Sequence, residues 1–370
     1  MFVKERLHPS HWLIGFLFSA LIFSSCEKLK LKEDEKEDPW ANMYFPSSPL
    51  SQWETIIHTE LQWKNNDVQS LMQFLEEKNT RAFIVLKNGR IALETYFGDT
   101  HVQTPLPWFS AGKTITAFLV GLAQEQGFIN IEESTSKYLG NGWTSMTAIQ
   151  EMAITVRDQL SMTTGLDYQV DDLFCTDREC LHYAYPAGTE WYYHNAPYTL
   201  LTQVIDQSVP GGFDRFFNLR LKDKIGMQGF WVQLGYNEVY MSNARSMARF
   251  GLLMLNNGIW ADQPVMNDEK YFKDMIRPSQ TLNKSYGYLW WLNGLESIIY
   301  PGSTQVLNTP LIPSAPDDLF AGLGLNDQKL YVVPSHGLVI VRLGGASGNS
   351  LLGPSSFDEQ LWQRLQWMLK

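Results

Sequence analysis

The chain has 370 residues, enough for a large core in one big domain or two modest ones. Hydrophobic residues make up 44% and charged residues 18%, a globular balance that excludes a disordered or fibrous chain. The formal net charge is −10 with no basic cluster in the body, which argues against a nucleic-acid partner.

Residues 1–25 read as a processed leader. Lys4 and Arg6 give a short basic start, and 12–23 is an apolar run too short to span a membrane as a mature helix. It ends Ile22-Phe23-Ser24-Ser25-Cys26, and small residues before a cysteine resemble a bacterial lipoprotein lipobox, with Phe23 where leucine is usual. The resemblance implies lipid on Cys26 and an exported protein held on a bacterial membrane, at its periplasmic or outer-membrane face. Plain secretory cleavage is the alternative. Residues 26–50 include the mixed-charge tract 28–39 and read as a solvated tether, which leaves 51–370 as the folded domain.

Val68, Leu71, Met72 and Leu75 recur at helical spacing across 66–78. Two β-type runs, 81–87 and 90–97, flank Asn88-Gly89 and predict a hairpin. After Pro105 and Pro107, apolar residues at Ile115, Phe118, Leu119 and Leu122 predict a helix that Gly127 ends. From 129 to about 282 the pattern is mostly helical, with a short helix at 155–162, another at 197–206, and a third capped by Ser242 and ending at Asn257-Gly258. Strands return at 286–292, 319–325, 329–333 and 338–343, and 356–369 is an amphipathic terminal helix. This order predicts an α/β (α+β) fold, an antiparallel sheet flanked by helices. Both chain ends (about 65–115 and 285–370) build the sheet around an inserted all-helical domain (about 116–284).

Three Ser-x-x-Lys spacings occur: Ser25 to Lys28, Ser110 to Lys113 and Ser134 to Lys137. Only the second opens a helix able to bury its own face. A hydroxyl at a helix N-terminus faces free backbone N–H groups, and a lysine one turn on can take the serine proton if its ammonium is destabilised. The competing reading makes Ser110 a helix cap and Lys113 a solvated residue. A P-loop is excluded because Pro107 stands where Gly112-Lys113-Thr114 would need a glycine. No Gly-x-Ser-x-Gly elbow and no His-Glu-x-x-His occurs, and no histidine spacing suggests a metal. No metal and no cofactor are expected. With Cys26 lipidated, Cys175 and Cys180 are the one pair left for a loop disulfide.

Tyr-x-Asn occurs once, at Tyr193-His194-Asn195, within Pro186-Ala-Gly-Thr-Glu-Trp-Tyr-Tyr-His-Asn-Ala-Pro. Together with Ser110-Ala-Gly-Lys113 and Ile154-Thr-Val-Arg-Asp-Gln-Leu-Ser-Met-Thr-Thr-Gly165, it resembles the class C β-lactamase-like serine hydrolases over roughly 65–370. The resemblance implies acyl transfer on Ser110, with Lys113 and Tyr193 as general base and acid and Tyr193 held near phenolate by a cationic Lys113. It makes Asn195 an orienting and substrate-binding residue. It also places Gly322-Leu323-Gly324 on the strand lining the site, and the backbone N–H groups of Ser110 and Leu325 as the oxyanion hole. β-Lactamases carry Lys-Thr-Gly in that triplet and related esterases often His-x-Gly. The absence of a cation here points to the esterase and 6-aminohexanoate-dimer hydrolase branch.

The implied substrate is a small-molecule ester or amide, and the implied membrane contact is through the N-terminal lipid. The oligomeric state is left open. A β-lactamase or penicillin-binding D-Ala carboxypeptidase is one alternative, and a non-catalytic surface-binding lipoprotein is another. Trp191, Trp290 and Trp291 suit either a pocket wall or the core, the core being the commoner place for such rings.

Overall fold

The computed structural model describes residues 42–48, 52–348 and 353–369. The chain divides into the units Met1–Pro39 and Trp40–Lys370, and every described residue belongs to the second. The leader, Cys26 and the charged tract lie outside the described residues.

Helix α1 (Asn65–Glu77) buries Leu71, Phe74 and Leu75 along one face. Strands β1 (Thr80–Lys87) and β2 (Arg90–Tyr96) form the predicted hairpin, in which Asn88 and Gly89 both take the left-handed φ that so tight a turn needs. β3 (Leu106–Pro107) leads through a 3-10 turn at Phe109–Gly112 into α2 (Lys113–Glu125). The insertion follows with α3 (Val156–Ser161), α4 (Asn195–Ser208), β4 (Phe230–Leu234), β5 (Asn237–Ser242) and α5 (Ala244–Leu255). The chain then returns through β6 (Trp291–Leu292), β7 (Phe320–Gly324), β8 (Gln328–Val333), β9 (Leu338–Gly344) and α6 (Ser356–Leu365).

The main sheet has the order β2-β1-β9-β8-β7-β6 with every pairing antiparallel. β1 lies beside β9 with Val85 opposite Ile340, so the two ends of the domain meet at its centre. Helices cover both faces, and β8 and β9 are accordingly buried along almost their whole length. On one face α5 packs close at Gly251, where a Cβ would fall 2.4 Å from Val339 Cγ1. On the other, Phe74 of α1 stacks on Phe357 of α6 at 5.7 Å, and Trp362 meets Tyr331 edge-on.

The mixed α/β architecture is as the sequence predicts, with local departures. The inserted part is not all-helical. β4 and β5 pair as a hairpin and join β3 in a three-stranded sheet ordered β3-β5-β4. The aromatic and β-branched residues in Phe230-Trp-Val-Gln-Leu234 carry that signal in a region otherwise read as helix and loop. The cap of α5 is Asn243, whose Oδ1 accepts from Ser246 N at 2.8 Å, because Ser242 Oγ is taken by Trp108 Nε1. The run 286–292 is a strand only at Trp291 and Leu292, since Leu289 turns the backbone at φ +59°. Part of the expected tether packs on the domain: Tyr44 N donates to Asn88 O, and Phe45 sits edge-on to Trp260 at 5.2 Å. Among the described residues no helix is long and apolar enough to cross a membrane.

Candidate active site

The site begins with Trp108. Its ring is fully buried edge-on against Tyr240, its Nε1 donates to Ser242 Oγ at 2.8 Å, and its backbone N–H donates to Tyr240 O. From that anchor Phe109 takes φ +46°, a left-handed conformation that costs a non-glycine residue about 1 kcal/mol or more. The reversal throws Ser110 into the 3-10 turn ahead of α2, and Lys113 becomes the first residue of the α-helix proper. Their spacing then does what the sequence suggested. Lys113 Nζ donates to Ser110 Oγ at 3.0 Å.

Lys113 is no solvated first-turn residue, for only 2% of it is exposed. Its amine also donates to Asn195 Oδ1 at 2.9 Å and lies 5.0 Å and 3.9 Å from the ring centroids of Tyr193 and Tyr198. Burial with no carboxylate partner holds its pKa well below the ordinary lysine value. Tyr193 is buried too, stacked on Trp291 at 5.8 Å and edge-on to Tyr286. That burial raises its phenol pKa above 10, against the opposing effect of a hydrogen bond with Ser110. The phenolate expected from the sequence is therefore the disfavoured form. The same desolvation acts on both groups and favours a neutral amine beside a neutral phenol.

Strand β7 brings the triplet to the turn that carries Ser110. A Cβ on Gly324 would lie 2.3 Å from Trp108 O and 3.1 Å from Ala111 N, and one on Gly322 would lie 3.1 Å from Thr114 Cγ2. The glycines thus let the strand backbone close on the turn that carries Ser110. Leu323 is buried, and Leu325, half in solvent, lines the same cavity as Ser110. The bend after β7 holds Asn326 and Asp327 at φ +57° and +60°. Two buried side chains fix it. Gln328 Nε2 donates to the carbonyls of Leu325, Asn326 and Gly344, and Arg342 Nη1 donates to those of Asn326 and Asp327.

The cavity holds about 370 Å³ and is lined by Ser110, Lys113, Tyr193, Asn195 and Leu325 among others. Leu173 and Phe174 form one wall, beside the bridged pair Cys175 and Cys180. Leu234, Asn237, Glu238 and Val239, from the hairpin β4–β5, form another. Trp191, Trp290 and Trp291 are not among its lining residues; Trp291 is stacked on Tyr193 with Trp191 against it, and Trp290 is buried against Phe250 and Phe320. Ser134 and Lys137 are structural, Lys137 pairing with Glu133. Three residues escaped the sequence reading. Tyr198 carries a usable signal, one turn beyond Asn195 on the same helix. The strain at Phe109 leaves none, and Glu238 sits on a hairpin that was not foreseen. Among the described residues no group of three or more His, Cys, Asp or Glu is gathered for a metal.

Comparison with known proteins agrees with this fold. The sequence model of the Beta-lactamase family matches residues 72–348. Among solved structures, the "Putative 6-aminohexanoate-dimer hydrolase from Bacillus anthracis" superimposes with a TM-score of 0.65 at 18% identity, covering 87% of this chain and 88% of that one. A penicillin binding protein from Bacillus halodurans gives 0.57 at 14% identity over 81% of this chain and 100% of its own. At such identities the likeness is one of fold. No curated protein matches the chain.

Proposed function

The chain belongs to the Beta-lactamase family, and from that premise we propose that it hydrolyses an ester or amide by two-step acyl transfer on Ser110. Family membership makes serine-hydrolase chemistry the expectation. The observation that carries the finer reading is the 3.0 Å contact between Ser110 Oγ and a buried Lys113 amine with no carboxylate to keep it charged.

Lys113 in its neutral form accepts the Ser110 proton as Oγ attacks the substrate carbonyl. Asn195 Oδ1 holds the amine toward the serine. The oxyanion is received by the backbone N–H groups of Ser110 and Leu325. Tyr193, a phenol hydrogen-bonded to Ser110, relays the proton from the Lys113 ammonium to the leaving group as the carbonyl re-forms. Water then attacks the acyl-enzyme, giving its proton back through the same groups, and the acid leaves with Ser110 restored.

Among the described residues that line the cavity Lys113 is the one basic residue, and it is already engaged with Ser110 and Asn195. Nothing there is left to pair with a substrate carboxylate, which supports esters or amides over penicillins and D-Ala peptides. The proposal includes an exported protein tethered by lipid on Cys26, a reading that rests on the sequence.

Labelling with a fluorophosphonate tests the nucleophile. Wild type should label and Ser110→Ala should not, and equal labelling of both would overturn the assignment. A stable penicillin adduct at Ser110 would instead favour the penicillin-recognising alternative. A chain that neither labels nor turns over any ester, amide or β-lactam would be a binding protein.

A further inference from the structure

Over much of the surface, cations find acids. Arg81 meets Asp99, Lys137 meets Glu133, Lys270 meets Asp274 and Lys273 meets Glu269. The stretch from Gly212 to Ile225 is different. It carries Arg215, Arg220, Lys222 and Lys224, and among the described residues none of the four makes an ion pair, a hydrogen bond or a ring contact. Its two acids, Asp214 and Asp223, are joined to none of them. In a chain with 39 acidic and 29 basic residues, four cations left free in one short stretch are a departure.

No two of them are adjacent in sequence, and the backbone is what gathers the arginines. A helix at Gly212–Phe217 runs into a π turn at Asn218–Lys222. Residues five apart on an α-helix point about 140° away from each other. The wider π turn, with its i→i+5 spacing, brings Arg220 back toward Arg215. Both then line one cavity of about 180 Å³, with Phe128, Pro210, Phe216 and Leu219. Gly211 makes room for this, since a Cβ there would fall 2.4 Å from Cδ of Arg215. Two guanidiniums side by side without an acid repel each other, and an anion arriving from outside relieves that repulsion.

The anion must also suit what lies between the charges. Leu219 falls between the arginines in sequence, lines the same cavity and is 49% exposed. Asn218 and Lys222 border a second cavity, and Phe230 at its edge is 56% exposed. Free cations set around exposed apolar side chains match the headgroup layer of an anionic bilayer. The guanidiniums meet phosphates, and the apolar side chains sink below them. A nucleic acid would match the charge and leave Leu219 and Phe230 in water.

We propose that the face of Arg215, Leu219, Arg220 and Lys222, with Phe230 at its edge, docks on a bilayer carrying anionic lipid. The contact is separate from any lipid on Cys26, and it does not depend on the Ser110 chemistry. Glu238 lines both the cavity that Lys222 and Phe230 border and the catalytic one. Docking therefore holds the catalytic cavity close to the membrane surface.

The test uses the full chain with Cys26→Ser, so that no lipid contributes, and vesicles of phosphatidylcholine with and without phosphatidylglycerol. Cosedimentation should show binding to the anionic vesicles that is roughly tenfold tighter or better and is lost at high salt. Arg215→Gln with Arg220→Gln should weaken it about 20-fold, at about fivefold for each cation, with Tm kept. Leu219→Asp should weaken it as well. A nitroxide on Leu219→Cys should pass from water into the anionic bilayer, as measured by its oxygen accessibility. One on Ile57→Cys, at an exposed position beside β2, should stay in water. Equal binding to both kinds of vesicle, a double glutamine variant that binds like its parent, or a Leu219 nitroxide that stays in water overturns the proposal. A DNA duplex that binds as tightly as the vesicles, with Leu219→Asp binding it unchanged, makes the face a polyanion site and overturns it too.

Discussion

Lys113 Nζ sits 3.9 Å from the centroid of the Tyr198 ring, three residues beyond the Asn195 whose Oδ1 it also meets. One turn of α4 therefore supplies two groups that tolerate an ammonium, a ring face and an amide oxygen, inside a site whose burial opposes it. In the proposed mechanism an amine held in that balance takes the Ser110 proton and carries it briefly.

Replacing Lys113 with Met should abolish catalysis, by about 10³-fold or more in kcat. The same change should raise stability by about 1 kcal/mol in denaturant titrations, since an ionisable group is removed from a dry site. The sign follows from the depressed pKa: below it the folded state must bury a charge, and the penalty lifts as pH rises toward 10.5. For wild type, kcat/KM should climb with pH along a limb centred below the ordinary lysine value. A flat profile would count against Lys113 as the base.

His194, between Tyr193 and Asn195, is 4% exposed, its Nδ1 has no partner, and burial lowers its pKa from 6.5 to about 4, against the opposing pull of Asp167. The folded value is the depressed one, so its full contribution is present above pH 6.5 and is lost as pH falls toward 4. The loss is on the order of 3 kcal/mol. His194→Gln should flatten the acid limb of stability over that window, as read from urea midpoints at pH 7 and pH 4.5.

Gly324→Ala should separate β7 from the turn that carries Ser110, because its Cβ meets two backbone atoms that cannot swing aside. A cost near 2 kcal/mol and a fall of about 100-fold in kcat are expected. Gly322→Ala, whose nearest neighbour is a threonine methyl at 3.1 Å, should be the milder of the two. Equal effects would mean that β7 does not brace the site.

Removing the Cys175–Cys180 bridge by a double Ala substitution should act on binding rather than chemistry. Phe174 is joined to Cys175 and lines the cavity, while Ser110 and Lys113 lie on other elements. KM should rise several-fold with kcat kept, alongside a stability loss of about 2 kcal/mol for so short a loop. A fall in kcat with KM unchanged would place the loop in the chemistry.

Ser110, Lys113, Tyr193 and Asn195 were legible because each pair is defined by spacing within a few residues, and one helix start or one turn fixes its geometry. The sheet was legible for a similar reason, since the strands flanking Asn88-Gly89 and Pro334-Ser-His-Gly337 carry their turns with them. What the sequence hid depends on partners far along the chain. The ionisation of Tyr193 follows from Trp291 and Tyr286 closing over it, nearly a hundred residues on. Glu238 became visible only with the hairpin β4–β5, whose two short strands lie among helices. The bend at Leu325 is held by Arg342, which sequence alone reads as one more strand residue.

The pairing of β1 with β9, and the seating of β7 against the turn of Ser110, set an order of events in synthesis. A ribosome delivers Ser110, Lys113, Tyr193 and Asn195 long before the strands that brace them. Until β7, β8 and β9 have emerged, the serine has no backing strand and Leu325 no fixed bend. The candidate site is therefore unassembled for most of the chain's synthesis, and it comes into being only as the final strands arrive.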